Sequence, residues 1–279
     1  MGQGYNSHVN KLEAFGYIAA QAARGEISFP TSVNAVLRLQ VALDDPDCHV
    51  DEAIRLVLSE PQLAARTVAL ANTAAFGSAG GQVSNVRAAV LRIGYRRLRG
   101  LVAALMVRQF GHRIGDRVLR AKAEQLWTHS AHVAALAQAL ARHVTRIDPD
   151  TALFAGIVHE VGGFYLLSRA DEFPGLLEDD PENWGALCED VVSVEVMRKL
   201  AIPRDVMEAI GALRDGVPNA EPHTLLDTLL LANRLAPVGS PLGDAPLAGG
   251  ALPFDEATLQ LLRAEAEETA HALGDATLV

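Results

Sequence analysis

Two stretches hold the residues whose types could do chemistry. They are "LWTHSAHV", with His129 and His132, and "TALFAGIVHEVGGFYLL", where His159 and Glu160 stand side by side in an apolar run. Imidazole and carboxylate groups are donors for first-row divalent metals. An ion held by His129, His159 and Glu160 would generate a hydroxide nucleophile suited to phosphoester hydrolysis. The competing reading makes the same histidines core or boundary residues with ordinary hydrogen-bond partners, and spacing alone favours it.

Two further features invite a functional reading. Arg87, Arg92, Arg96, Arg97 and Arg99 form a basic cluster in a chain of formal net charge −10. They make either an anion or partner surface, for a nucleotide, RNA or an acidic protein face, or a helix face paired with nearby carboxylates. The latter is favoured because no Gly-rich phosphate loop lies near. Asn72 ends an apolar helix, and helix interiors do not favour asparagine, so its side chain, buried at a helix end, either ties that helix to the next or is a polar group in a cleft between lobes. The structural role is favoured because a buried polar group needs a partner.

Helices must position these groups. Apolar residues recur at helical spacing along almost the whole chain and alternating β-branched runs are scarce, which predicts an all-α fold. A leading helix from about Val9 to Arg24 stops at Gly25. The next carries Val33, Val36, Leu37 and Val41 inward. "SEPQLAARTVALANTAAFG" gives a helix capped by Ser59, with Pro61 in its first turn, running to Gly77. Ser84 caps another, broken at Gly94 before a longer helix. A further helix begins near Lys122, and the one after it has Asp148 as cap and Pro149 at its first position. Gly156 and Gly162 leave room for a neighbouring backbone. "GSPLGDAPLAGGALP" is Gly/Pro-rich and reads as an irregular loop, mobile or a docking element, before a final acidic helix.

The two cysteines, Cys48 and Cys188, stand far apart and suggest neither a disulfide framework nor a zinc knuckle, in keeping with a reducing cytoplasm. The acidic balance argues against a nucleic-acid footprint over the whole surface. No segment reads as a secretory leader or as a bilayer-spanning run uninterrupted by charge, so a cytoplasmic protein without membrane association is expected.

The order of "SEPQLAARTVALANTAAFG", "VSNVRAAVLRIGYRRLRGL", "LWTHSAHVAALAQALA" and "ALFAGIVHEVGGFYLL" resembles the bacterial HDOD domain, the HD-related output domain. Its most specific elements are Leu70-Ala71-Asn72-Thr73-Ala74 and Ala89 through Gly94. The resemblance implies a two-lobed, multi-helix fold whose second lobe is related to HD-type metal phosphohydrolases, with a role in signalling and regulation rather than catalysis. Carried over by position, His129 matches the first motif histidine and His159 the histidine of the His-Asp pair. Glu160 replaces the aspartate, extending the carboxylate by about 1.5 Å, and Asn233 replaces the later aspartate. Gly163 stands where many active relatives carry a Lys or Arg.

The expected organisation is therefore a leading helix in residues 1–28, an HDOD-like region over 29–237, and a loop and C-terminal helix in 238–279 packing on the same domain. The HDOD-like region divides into an N-terminal helical lobe, 29–120, and a degenerate HD-like lobe, 121–237. The expected function is non-catalytic regulation through another signalling protein, as in two-component output, with His129, His159, Glu160 and Asn233 a vestigial site. No cofactor or metal is expected; an ion, if held, would sit on His129, His159 and Glu160. Asn72, Gly94, Gly156 and Gly162 are read as structural. The alternatives are an HD-type phosphohydrolase and a nucleotide- or RNA-binding regulator using the arginines.

Overall fold

The computed structural model describes residues 11–27, 31–73, 82–111, 114–170, 172–173, 190–243 and 252–277. Among these every regular element is helical: α1 Lys11–Ala23, α2 Thr31–Asp44, α3 Val50–Leu58, α4 Pro61–Ala71, α5 Val86–Ile93, α6 Tyr95–Gly111, α7 Arg117–Leu140, α8 Pro149–Val158, α9 Val161–Ala170, α10 Asp190–Lys199, α11 Arg204–Gly211, α12 Leu225–Leu235 and α13 Glu256–Thr277. The all-α expectation holds. One continuous apolar cluster runs through the molecule from Ile18 in α1 to Leu273 in α13.

Helix α7 is the axis of the site. Asp116 caps it, its carboxylate accepting from the amides of Val118 and Leu119 at 2.8 and 2.9 Å, so it begins at Arg117 and not near Lys122. Its alanine-rich body packs against α8, α12 and α13. A π turn, Ala141–Thr145, ends it, with Arg146 in the left-handed region. Opposite, α8 starts as the sequence predicts: the Asp148 carboxylate accepts from the Thr151 amide at 2.7 Å and Pro149 occupies the first turn. A Cβ built on Gly156 would fall 2.8 Å from the Ala134 backbone nitrogen, so α8 and α7 touch backbone to backbone there. Gly162 similarly lets Ser193 of α10 approach α9, a Cβ there falling 2.9 Å from the Ser193 Cα.

Several local expectations are corrected. Glu60, not Ser59, is the N-cap of α4, because the Ser59 hydroxyl donates instead to the Leu56 carbonyl at 2.7 Å. Asn85, not Ser84, caps α5, accepting from the Ala88 amide. Helix α4 stops at Ala71; Gly77 lies outside the described residues, as do Phe29, Ala74 and Cys188. Asn72 is the C-cap, exposed rather than buried, and its amide exchanges two hydrogen bonds of 2.9 Å with the Val83 backbone while donating to the Val68 carbonyl. Its side chain thus closes the excursion between α4 and α5. Val41 faces solvent while Leu39 and Gln40 turn inward. Gly94, at φ 76°, separates α5 from α6, and Gly25, at φ 71°, comes just after α1.

By length and composition alone the run Pro149–Ala170 is apolar enough to cross a bilayer, although Asp150, Glu160 and Arg169 interrupt it. Most of it is buried inside the fold, where α8 and α9 pack against α6 and α7. It is a core element.

Helix α12 is anchored by Asp227, 1% exposed. Its carboxylate accepts from the Asn219 amide at 2.7 Å, the His223 and Thr224 amides at 3.0 Å and the Thr224 hydroxyl at 2.7 Å. Burial pushes the Asp227 carboxyl up, but hydrogen bonds from Asn219, Thr224 and His223 outweigh it and hold the group well below the usual carboxylate range.

These contacts set two expected outcomes. Gly156→Ala costs about 1–3 kcal/mol in urea unfolding, whereas Gly211→Ala, where an added Cβ meets nothing within 4 Å, is neutral or gains about 0.5–1 kcal/mol; equal effects would show that the α7–α8 contact is not close. For Asp227 the folded pKa lies below the unfolded value of about 3.9. Its contribution is therefore complete above about pH 5 and is lost as pH falls. Asp227→Asn lowers neutral stability and flattens the acid limb of the stability–pH curve; an unchanged limb contradicts the assignment.

Candidate functional site

The helical run from Pro149 breaks at His159–Glu160, between α8 and α9. The His159 ring contributes locally, its Nδ1 lying 2.8 Å from the Gly156 carbonyl in the preceding turn. Because α7 passes so close at Gly156, His129 and His159 meet: their Nε2 atoms are 3.3 Å apart and their ring centroids 5.3 Å. Donor atoms of His129, His159 and Glu160 all lie within 4.8 Å of one another. Three of the four residues assigned to a vestigial site thus converge. His129 is fully buried and His159 and Glu160 are 8% exposed. His132, one turn along α7, bonds instead to the Thr128 carbonyl.

A carbonyl only accepts, which sets the tautomers. His129 Nδ1 lies 2.7 Å from the Val238 carbonyl, so both Nδ1 atoms are the donors. In two neutral rings both Nε2 lone pairs then point into the same space. Burial, reinforced by His129, lowers the His159 pKa to about 3, so that ring is neutral at physiological pH. Two nitrogens held by one ion at about 2.0–2.1 Å with tetrahedral angles stand about 3.3–3.4 Å apart. The donor set fits a divalent cation, and the residues that would hold it are His129, His159 and Glu160. Such an ion, when bound, supplies Lewis acidity and an activated water.

Sequence reasoning missed the segment that covers this cluster. After α12 the chain crosses the site as a strap, residues 237–243. The Val238 carbonyl meets His129, the Gly239 carbonyl accepts from Gln125 Nε2 at 3.3 Å, and the Ser240 hydroxyl bonds Glu160 Oε2 at 3.0 Å. Leu242 is buried over Gly163, and a Cβ on Gly163 would collide with its side chain. The place where the resemblance expects a phosphate-facing cation is therefore filled by Leu242. No signal in "APVGSPLG" announces this; the part of the predicted loop from 244 to 251 lies outside the described residues. The Thr224–Asp227 capping box was equally missed, although T-x-x-D before an apolar run is a readable sign. Asn233 sits on α12, which packs on α7, and its buried Oδ1 has no hydrogen-bond partner among the described residues.

The arginines are placed elsewhere. Arg87 pairs with Asp51 and Arg96 with Asp148; Arg97 lies 3.5 Å from Asp150 and Arg99 2.9 Å from Asp44. Arg92 reaches the Ala71 carbonyl at 3.5 Å, and the Arg99 guanidinium lies 4.4 Å from the Phe154 ring centroid. These pairs join α5 and α6 to α2, α3 and the start of α8.

The whole fold is similar to solved bacterial structures. One, from Shewanella amazonensis SB2B and provisionally named a metal-dependent phosphohydrolase, is 18% identical with a TM-score of 0.69 over 96% of this chain and 99% of its own. An HDOD domain protein of unknown function from Geobacter sulfurreducens is 21% identical, TM-score 0.60, over 95% and 94%. A protein from Marinobacter aquaeolei VT8, provisionally named for signal transduction, is 19% identical, TM-score 0.61, over 97% of this chain and 67% of its own. No curated protein matches the sequence. The HDOD domain model matches residues 29–189, more than half of the chain, and with the helical order and the His129–His159 cluster it makes this protein a member of the HDOD family.

Proposed function

We propose that this chain is a non-catalytic regulatory protein that acts by binding another signalling macromolecule, its HD-like site serving as scaffold or sensor. The observation that carries this is the strap. The Val238 carbonyl and the Ser240 hydroxyl engage His129 and Glu160, and Leu242 occupies the space over Gly163, so the strap takes up the face on which a phosphate-facing cation would stand. Asn233 supports the same reading, since an amide lacks the charge a carboxylate would bring to a divalent ion. The paired arginines favour a partner that reads shape and local polarity over one attracted by bulk positive charge.

A second reading, the metal-dependent phosphohydrolase, is favoured by one observation, the convergence of His129, His159 and Glu160. A nucleotide- or RNA-binding regulator would have to compete with the carboxylates already facing Arg87, Arg96, Arg97 and Arg99.

The readings separate in one assay. The purified protein is incubated with Mn²⁺ and with p-nitrophenyl phosphate or bis-p-nitrophenyl phosphate, beside His159→Ala. Wild type and variant are expected to give the same background rate. Metal-dependent turnover in the wild type that His159→Ala abolishes would establish the hydrolase instead.

A further inference from the structure

The strap does more than cover the site. Histidines that bind metals almost always give their second nitrogen to a carbonyl or carboxylate, and ligating carboxylates are themselves hydrogen-bonded; such partners fix the tautomer and aim the donor. Each of the three donors here has a partner of that kind. Gly156 serves His159 from within α8. The other two partners, the Val238 carbonyl for His129 and the Ser240 hydroxyl for Glu160, both come from the strap.

The strap is tied to α7 and braced within itself. Gln125 Nε2 donates to the Gly239 carbonyl, and the Leu242 amide lies 3.2 Å from Ser240 Oγ, within a turn that ends at Gly243 with φ 88°. The Ser240 hydroxyl therefore stands between the strap's own backbone and Glu160. Leu242 fills the notch that Gly163 leaves, so its position is registered against α9. A loop that merely drifted across the surface would not match two donors and a glycine notch at once.

We infer that the 237–243 strap is the positioning layer of a divalent-cation site, in which Ser240 and the Val238 carbonyl aim Glu160 and His129 at the ion and the bound ion in turn fastens the strap to α7 and α9. The inference rests on the reading of this site as a closed regulatory one. Binding at the site would then change the surface that the strap presents, at the exposed Pro237 and Gly239, and this offers a route from ion occupancy to a partner. Ser240 acts through Glu160 and is a positioning residue.

The test uses the full chain, stripped with chelator and titrated with Co²⁺, whose visible absorption reports nitrogen and oxygen coordination. Wild type is expected to take up one Co²⁺, with a melting temperature that rises with Co²⁺ concentration and slower hydrogen exchange in a peptide spanning 237–243. Ser240→Ala weakens Co²⁺ binding about 10–100-fold with little change in the melting temperature of the metal-free protein, Ser240→Thr restores it, and His159→Ala abolishes the absorption. No Co²⁺ uptake by the wild type, equal affinity for wild type and Ser240→Ala, or strap exchange indifferent to Co²⁺ would each overturn the inference. Failure of the regulatory reading registers separately, as phosphoester turnover by the loaded wild type, and does not alter the affinity ratio that decides the role of Ser240.

Discussion

The close approach of α8 to α7 at Gly156 and Ala134 is the contact on which the rest depends. Without a side chain at 156 the two backbones meet, and every group carried by the helices inherits that registration. His129 lies on α7 before Ala134, and His159 stands at the end of α8 just after Gly156. Their nitrogens are brought within 3.3 Å by main-chain packing, with no pairing between the side chains required to hold them there. The apolar residues around Gly156, among them Leu153, Phe154 and Ile157, are buried and keep the helices in place.

That proximity creates a demand. Burying two imidazoles and a carboxylate is costly unless each polar atom finds a partner. The structure meets the demand with Gly156 on one side and the strap on the other. The strap needs a fixed departure point, which α12 supplies; Asp227 ties the start of that helix to the loop before it, and the Thr228 hydroxyl meets Thr145 in the π turn that ends α7 at 2.8 Å. The anchored helix α12 with its strap and the backbone contact at Gly156 both bear on the same cluster.

The charged residues serve a different purpose. Arg96 and Arg97 face Asp148 and Asp150, at the start of α8, while Arg99 joins Asp44 at the end of α2 and stacks on Phe154. Arg96, the most exposed of the three, contributes little through its pair, while the Arg97–Asp150 and Arg99–Asp44 pairs are half-buried; together they join α6 to α2 and α8. A basic cluster in an acidic chain is here largely neutralised by its own neighbours.

The helical class, most of the helices, the Asp148 cap, the breaks at Gly25 and Gly94 and the convergence of His129, His159 and Glu160 are legible in residue types and their order, because periodicity, caps and glycines act locally and the family motif carries its own geometry. Local choices are harder to read where two polar residues compete: Asn85 rather than Ser84 reaches a free amide of α5, while at α4 Glu60 takes the cap position without a side-chain hydrogen bond and the Ser59 hydroxyl turns back to Leu56. Reading "GSPLG" as irregular backbone is correct as far as backbone type goes. Its role needed the folded chain, since Val238, Ser240 and Leu242 meet partners about 80 to 110 positions away in sequence. Residue order therefore determined the helices and the identity of the donors. Tertiary structure alone decided that they are covered, because a contact between distant segments leaves no periodicity in either of them.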